Sequence, residues 1–152
     1  MLKSYFKNKG GPAPIITEVK RRVRFEEVDR MGIVWHGRYV SYFEDARVAL
    51  GKKYGIGYMG FFANGVLVPI KKIHMDYHRP LLFEDEVTVE ALLHWSDAAR
   101  INFEFKIYNA KGQLTTDGYS VQIMLNLDRE LLLAHPPFYE DFRKMWKAGK
   151  IN

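Results

Sequence analysis

The chain has 152 residues, 47% hydrophobic and 27% charged, with a formal net charge of +5, the size and balance of one globular domain around one core. It has no cysteine, which excludes disulfides, thiolate metal sites and a cysteine nucleophile and fits a cytoplasmic protein. The basic residues are dispersed, in small groups at Lys20-Arg21-Arg22, Lys71-Lys72 and Arg143-Lys144, without an aromatic RNA-binding signature; nucleic acid is not expected, and a small ligand carrying phosphates explains the sign equally well.

Residues 1–16 contain lysines and a Gly10-Gly11-Pro12-Ala13-Pro14 linker but no apolar run of signal-peptide length, and read as an N-terminal extension. No stretch has the apolar length of a membrane span. From Thr17, Val19, Val23 and Phe25 alternate with Glu18, Lys20, Arg22 and Arg24, which predicts a half-buried strand running through Phe25. Between about Arg38 and Tyr54, Tyr39, Phe43, Ala46, Leu50 and Tyr54 recur at spacings of three and four, one apolar stripe of a helix that faces a sheet. Gly55 and Gly57 end it.

Strands follow. In Val66–Tyr77 the apolar residues move from even to odd positions across Pro69, a change of face that predicts a bulge. Val87 to Trp95 and Ile101 to Tyr108 alternate cleanly, and Asn109-Ala110-Lys111-Gly112 reads as a hairpin turn into a last strand with Val121, Ile123, Leu125 and Leu127 as its inner face. Pro136-Pro137 opens a short closing helix to Trp146. One long helix and one-sided strands pack most economically as an α+β domain with the sheet wrapped over the helix, here 17–135, with 136–152 as a helical tail. Its free sheet edges and apolar surface predict a homo-oligomer.

Chemistry concentrates in Val28-Asp29-Arg30-Met31-Gly32-Ile33-Val34-Trp35-His36, which puts a carboxylate after a strand and an imidazole at the mouth of a helix. The strand end mounts the acid, and the free N–H groups of the helix start polarise an oxygen gaining negative charge. Taken alone, Asp29 is equally a turn residue or helix-entry cap, and His36 a polar residue on the first turn. Glu44 and Arg47, three apart, read first as an ion pair, with Glu44 a candidate to line the site. Tyr39 reads as core. His74 and His78 stand about 13 Å apart in a strand, too far for one metal ion.

The order Asp29-x-x-Gly32-x-Val34-x-His36-x-x-Tyr39, followed by Tyr42-Phe43-Glu44-x-Ala46-Arg47, then Tyr77-x-x-Pro80 and Asp85, resembles the hotdog-fold acyl-CoA thioesterases of the 4-hydroxybenzoyl-CoA thioesterase type, from about Val23 to Leu127. The resemblance implies a long central helix wrapped by a curved five-stranded antiparallel sheet, a homodimer or homotetramer with sites between subunits, and hydrolysis of an acyl-CoA. It implies Asp29 as nucleophile or general base, the His36 backbone N–H as the donor to the thioester carbonyl, and the His36 imidazole beside them. Gly32, Val34, Trp35 and Glu44 fall in the matched substrate-binding stretch. Lys71, Lys72, Arg79 and Arg100 are candidates for the coenzyme phosphates. No metal or cofactor is required beyond the coenzyme A of the substrate.

Departures from the family pattern are Glu27 for an aspartate two residues before the acid, Phe25 for a tyrosine four before it, and Arg38 for an asparagine. Three other readings stand beside hydrolysis of acyl-CoA: hydrolysis of acyl-carrier-protein thioesters, a hotdog dehydratase, and a non-catalytic binder of acyl ligands or nucleic acid.

Overall fold

The computed structural model describes residues 4–151. Five strands, β1 (Ile15–Arg22), β2 (Ile70–Tyr77), β3 (Glu86–His94), β4 (Arg100–Tyr108) and β5 (Leu114–Ile123), form one antiparallel sheet in the order β1-β3-β4-β5-β2. The long helix α1 (Tyr39–Tyr54) packs over β1 and β3. A short helix α2 (Tyr58–Ala63) follows it, and α3 (Pro137–Lys147) closes the chain. α1 ends where the pattern places it, because Gly55 adopts φ +71° and donates its N–H to the Gly51 carbonyl, a left-handed cap that costs glycine nothing.

The sheet register builds the core in rows. Thr17, Ala91, Phe105, Gly118 and Met75 stand side by side across all five strands. The Phe43 ring of α1 stacks on Phe105 at 4.5 Å, and each such fully buried ring contributes about 1.5–3 kcal/mol from area alone. Gly118 is required by that stack: a Cβ there would lie 2.1 Å from the His74 carbonyl oxygen and 3.0 Å from the Phe43 ring.

The expected inner face of the last strand is therefore reversed. Thr116, Gly118, Ser120 and Gln122 face α1, whereas Val121 and Tyr119 lie on the other face. Apolar alternation misleads here because both faces are covered: Tyr5 and Phe6 of the N-terminal segment pack on Tyr119 across the outer face. Beneath the same segment, His94 and the buried Glu104 pair at 2.9 Å.

The first strand also differs, stopping at Arg22 rather than running through Phe25. The Val23 N–H donates to Asp85 O at 2.9 Å and its carbonyl accepts from Glu84 N–H at 3.2 Å, so a loop has replaced the neighbouring strand. Phe25 falls in a 3-10 turn (Phe25–Glu27) and is 76% exposed. The predicted bulge occurs between Ile70 and Lys72 of β2, the strand itself beginning only after Pro69. Among the described residues no helix is long and apolar enough to cross a membrane.

Candidate active site

Asp29 is mounted on a narrow hairpin rather than on the end of β1. Its N–H donates to Ile33 O at 2.9 Å, Gly32 N–H donates back to Asp29 O at 3.0 Å, and Val28 bridges Val34. Gly32 closes the turn at φ +76°, a conformation that a side chain disfavours. Asp29 Oδ1 accepts the Met31 N–H at 2.8 Å, the side-chain turn that aspartate favours. Oδ2 has no hydrogen-bond partner among the described residues.

The hairpin is tied down from three sides. Trp35 N–H donates to Glu27 O at 2.9 Å, and Val34 N–H donates to Leu81 O at 2.8 Å. Glu27 is 3% exposed and accepts from Arg24 N–H at 2.9 Å, from the Tyr42 hydroxyl at 3.0 Å and from the Arg21 guanidinium. Arg21 also lies 3.6 Å from the Tyr42 ring centroid. Burial pushes the Glu27 carboxyl up, but the Arg24 N–H, the Tyr42 hydroxyl and the Arg21 charge outweigh it and hold the group below its ordinary range. The glutamate that departs from the family pattern is thus the buried anchor of the segment leading to Asp29.

On the other side of the cleft, a 3-10 turn (His36–Arg38) runs directly into α1, so the helical chain starts at His36. The N–H groups of His36 and Gly37 have no backbone acceptor among the described residues, as at any helix start. Tyr77, on β2, donates its hydroxyl to His36 O at 2.8 Å and meets the Tyr39 ring edge-on at 4.8 Å. Burial pushes the Tyr39 hydroxyl up to about 12.

Asp29, Val34, His36, Tyr39, Tyr77 and Arg79 line one cleft of 370 Å³. It brings together four of the residues singled out from sequence: Asp29, Val34, His36 and Arg79. Gly32 shapes the adjoining turn. Trp35 lies with its ring over Gly37 and 5.0 Å from the His36 ring. Glu44 binds Arg47, with one contact at 3.0 Å, and Arg47 stacks on Tyr58. Lys71 and Lys72 stand exposed on β2 and Arg100 at the start of β4; none of the three lies in the cleft wall.

Tyr77 and His78 also line the cleft; the only signals for them in the sequence were the Tyr77-x-x-Pro80 spacing and, for His78, a rejected pairing with His74. His78 pairs with Asp117 at 2.7 Å, and His74 with Asp76 at 3.0 Å. No cluster with metal-ligating geometry occurs among the described residues.

A long helix held by a five-stranded antiparallel sheet in this order is the hotdog fold; here an acid and the helix start line one cleft. The chain belongs to the thioesterase-like superfamily, whose family model matches residues 23–145. It is 30% identical over 135 residues to the Bacillus subtilis protein named "Putative acyl-CoA thioesterase YneP", covering 89% of this chain and 98% of that one. It is 24% identical over 96 residues to the acyl-CoA thioester hydrolase YbgC of Escherichia coli O6:H1, covering 63% and 72%. Among solved structures, a DHNA-CoA thioesterase from Staphylococcus aureus superposes with a TM-score of 0.75 at 25% identity, covering 90% of this chain and 97% of that one.

Proposed function

We propose that the protein hydrolyses acyl-CoA thioesters to a free acid and coenzyme A, with Asp29 as the reacting carboxylate. The observation that carries this reading is the shared cleft: a carboxylate with one unpartnered oxygen lies in the same wall as His36, whose N–H, at the start of the turn that leads into α1, has no backbone acceptor among the described residues. As nucleophile, Asp29 attacks the thioester carbon, the C–S bond breaks with the electron pair leaving on sulfur, and water opens the resulting anhydride. As general base, it takes a proton from the attacking water and returns it to the departing thiolate.

In either route the carbonyl oxygen gains charge facing the His36 N–H. One such donor is typically worth about 2.7–4 kcal/mol in the transition state. A thiolate is a moderate leaving group and needs little acid assistance, so the scheme is complete without a metal, and coenzyme A enters only as part of the substrate. Tyr77 serves it by holding the His36 carbonyl, which orients the His36–Gly37 peptide at the mouth of the helix. The His36 imidazole orients water or substrate, and Arg79 is the cleft's own cation for the coenzyme phosphates.

The test is thiol release from a panel of acyl-CoAs by the protein and by Asp29→Asn. The variant is expected to keep its melting temperature and to lose about 10²-fold or more in kcat. Equal rates would remove Asp29 from the mechanism. A 3-hydroxyacyl-CoA that gives an enoyl product without thiol would replace hydrolysis by dehydration.

A further inference from the structure

Strand pairing continues past the end of β5. Leu125 and Leu67 exchange backbone hydrogen bonds, each N–H reaching the other's carbonyl at 2.8 Å, and Leu125 bridges Leu131 on its other side. Alternation sorts these three short segments by face. Val66, Val68 and Met124 belong to the core and Leu132 packs against it, so Leu67, Leu125 and Leu131 form one row on the opposite face. That row continues the outer face of the sheet from Val121 and Ile123.

The N-terminal segment that lies on Tyr119 leaves the far end of this face open. Leu131 is 56% exposed, and Leu127 and Leu133, two residues beyond Leu125 and Leu131, are 59% and 87% exposed. Leucines gathered at the surface in this way mark a place where the chain meets something apolar.

The charge beside them says what that is. Arg100 of β4 stands opposite Ile123. Lys7 and Lys9 line a hollow of 300 Å³ with Trp95, Asp97 and Asn102, and Asn102 is in register with Val121. All three cations are exposed, and among the described residues none of them is ion-paired. Against them stand Asp97, which already meets Arg143 at 3.7 Å, and the turn Asp128-Arg129-Glu130 with one excess negative charge. The balance is positive.

We infer that this face docks on an anionic lipid surface, with Leu127, Leu131 and Leu133 entering the headgroup boundary and Lys7, Lys9 and Arg100 meeting the phosphates. The leucines supply insertion that is indifferent to lipid charge, and the cations add attraction that is not. A second copy is the poorer occupant, because a two-fold axis through this face sets the same three cations against their own copies. The inference does not rest on the proposed hydrolysis, and binding is read without substrate.

The test is co-sedimentation of the whole chain with vesicles of phosphatidylcholine alone or of phosphatidylcholine and phosphatidylglycerol in equal parts. Binding to the mixed vesicles is expected to be about 10-fold stronger or more, and most of that excess should vanish as salt screens the headgroups. Arg100→Gln should weaken it about 5-fold. Leu131→Ser combined with Leu133→Ser changes no charge, should leave the melting temperature unaltered, and should weaken binding about 10-fold or more. Leu133→Trp reads insertion directly: the emission it adds should shift to the blue on mixed vesicles and be quenched by brominated acyl chains.

Equal binding to both vesicles, binding that survives the two serines, or added emission untouched by bromine would each overturn the docking. So would self-association without lipid that the two serines abolish, since the face would then belong to a second copy.

Discussion

Glu27 shows how a single buried charge sets the site. Its carboxylate meets Arg24 N–H, the Tyr42 hydroxyl and Arg21, while its carbonyl receives Trp35 N–H one residue before the helix start. Glu27 thus holds the entry to the Asp29 hairpin through its side chain and the exit through its carbonyl. Removing one partner from a buried pair leaves the other charge uncompensated, at a cost of about 3–5 kcal/mol; because Arg21 also holds the exposed Asp45, Glu27→Ala is expected at the lower end, about 3 kcal/mol, in urea denaturation. Its sign with pH follows from the lowered folded value. The stabilisation is full above the ordinary carboxylate range and is lost as pH falls through the folded value. Stability should therefore drop on acidification in the native protein, and the part due to Glu27 should be missing in Glu27→Gln. Identical pH profiles for the two would show that the carboxylate carries no net stabilisation.

The elements differ in how far their residues announce them. β3, β4 and α1 have one apolar face each, so periodicity locates both the element and its inward side. The helix start was legible to within two residues, because cap chemistry is local, whereas the mount of Asp29 was not: the acid sits on its own hairpin, closed by Gly32, and not on the end of β1. β5 was not legible either, since its partners are remote: Val121 looks inward by composition but shares its face with Tyr119, which lies under the N-terminal segment, while Ser120 and Gln122 are buried on the opposite face. Glu27 and Gln122 were missed for the same reason. A buried polar residue is recognised by what it bonds across the fold, and no spacing in the chain encodes that. Gly118 carries the sharpest consequence. Gly118→Ala would place a Cβ against the His74 backbone and the Phe43 ring, so β2 must move away from β5 or the Phe43 stack must open. Overpacking of this kind costs typically about 1–3 kcal/mol, measurable as a lowered denaturation midpoint, and tyrosine and histidine signals from β2 should broaden or shift. An unchanged midpoint would mean that the β2–β5 pairing is looser than its register implies.

At the scale of the whole molecule, the sheet is unfinished on one side. α1 covers β1 and β3, whereas β2 ends the sheet with Ile70, Ile73 and Tyr77 exposed by 41%, 43% and 50%. An open edge strand with exposed apolar side chains among its charges leaves its backbone free to pair with another chain, and a second copy supplies the identical edge. Antiparallel pairing of β2 with β2 about a two-fold axis sets the Tyr77 end of one copy beside the Ile70 end of the other. Within one chain those ends are about 23 Å apart at ~3.3 Å per residue, with the Asp29 cleft at the Tyr77 end. Pairing brings Lys71 and Lys72 towards the partner's cleft mouth, where the proposed substrate's coenzyme phosphates would need cations. We therefore expect a dimer in sedimentation, and Ile73→Lys to give monomers with a large loss in kcat/KM.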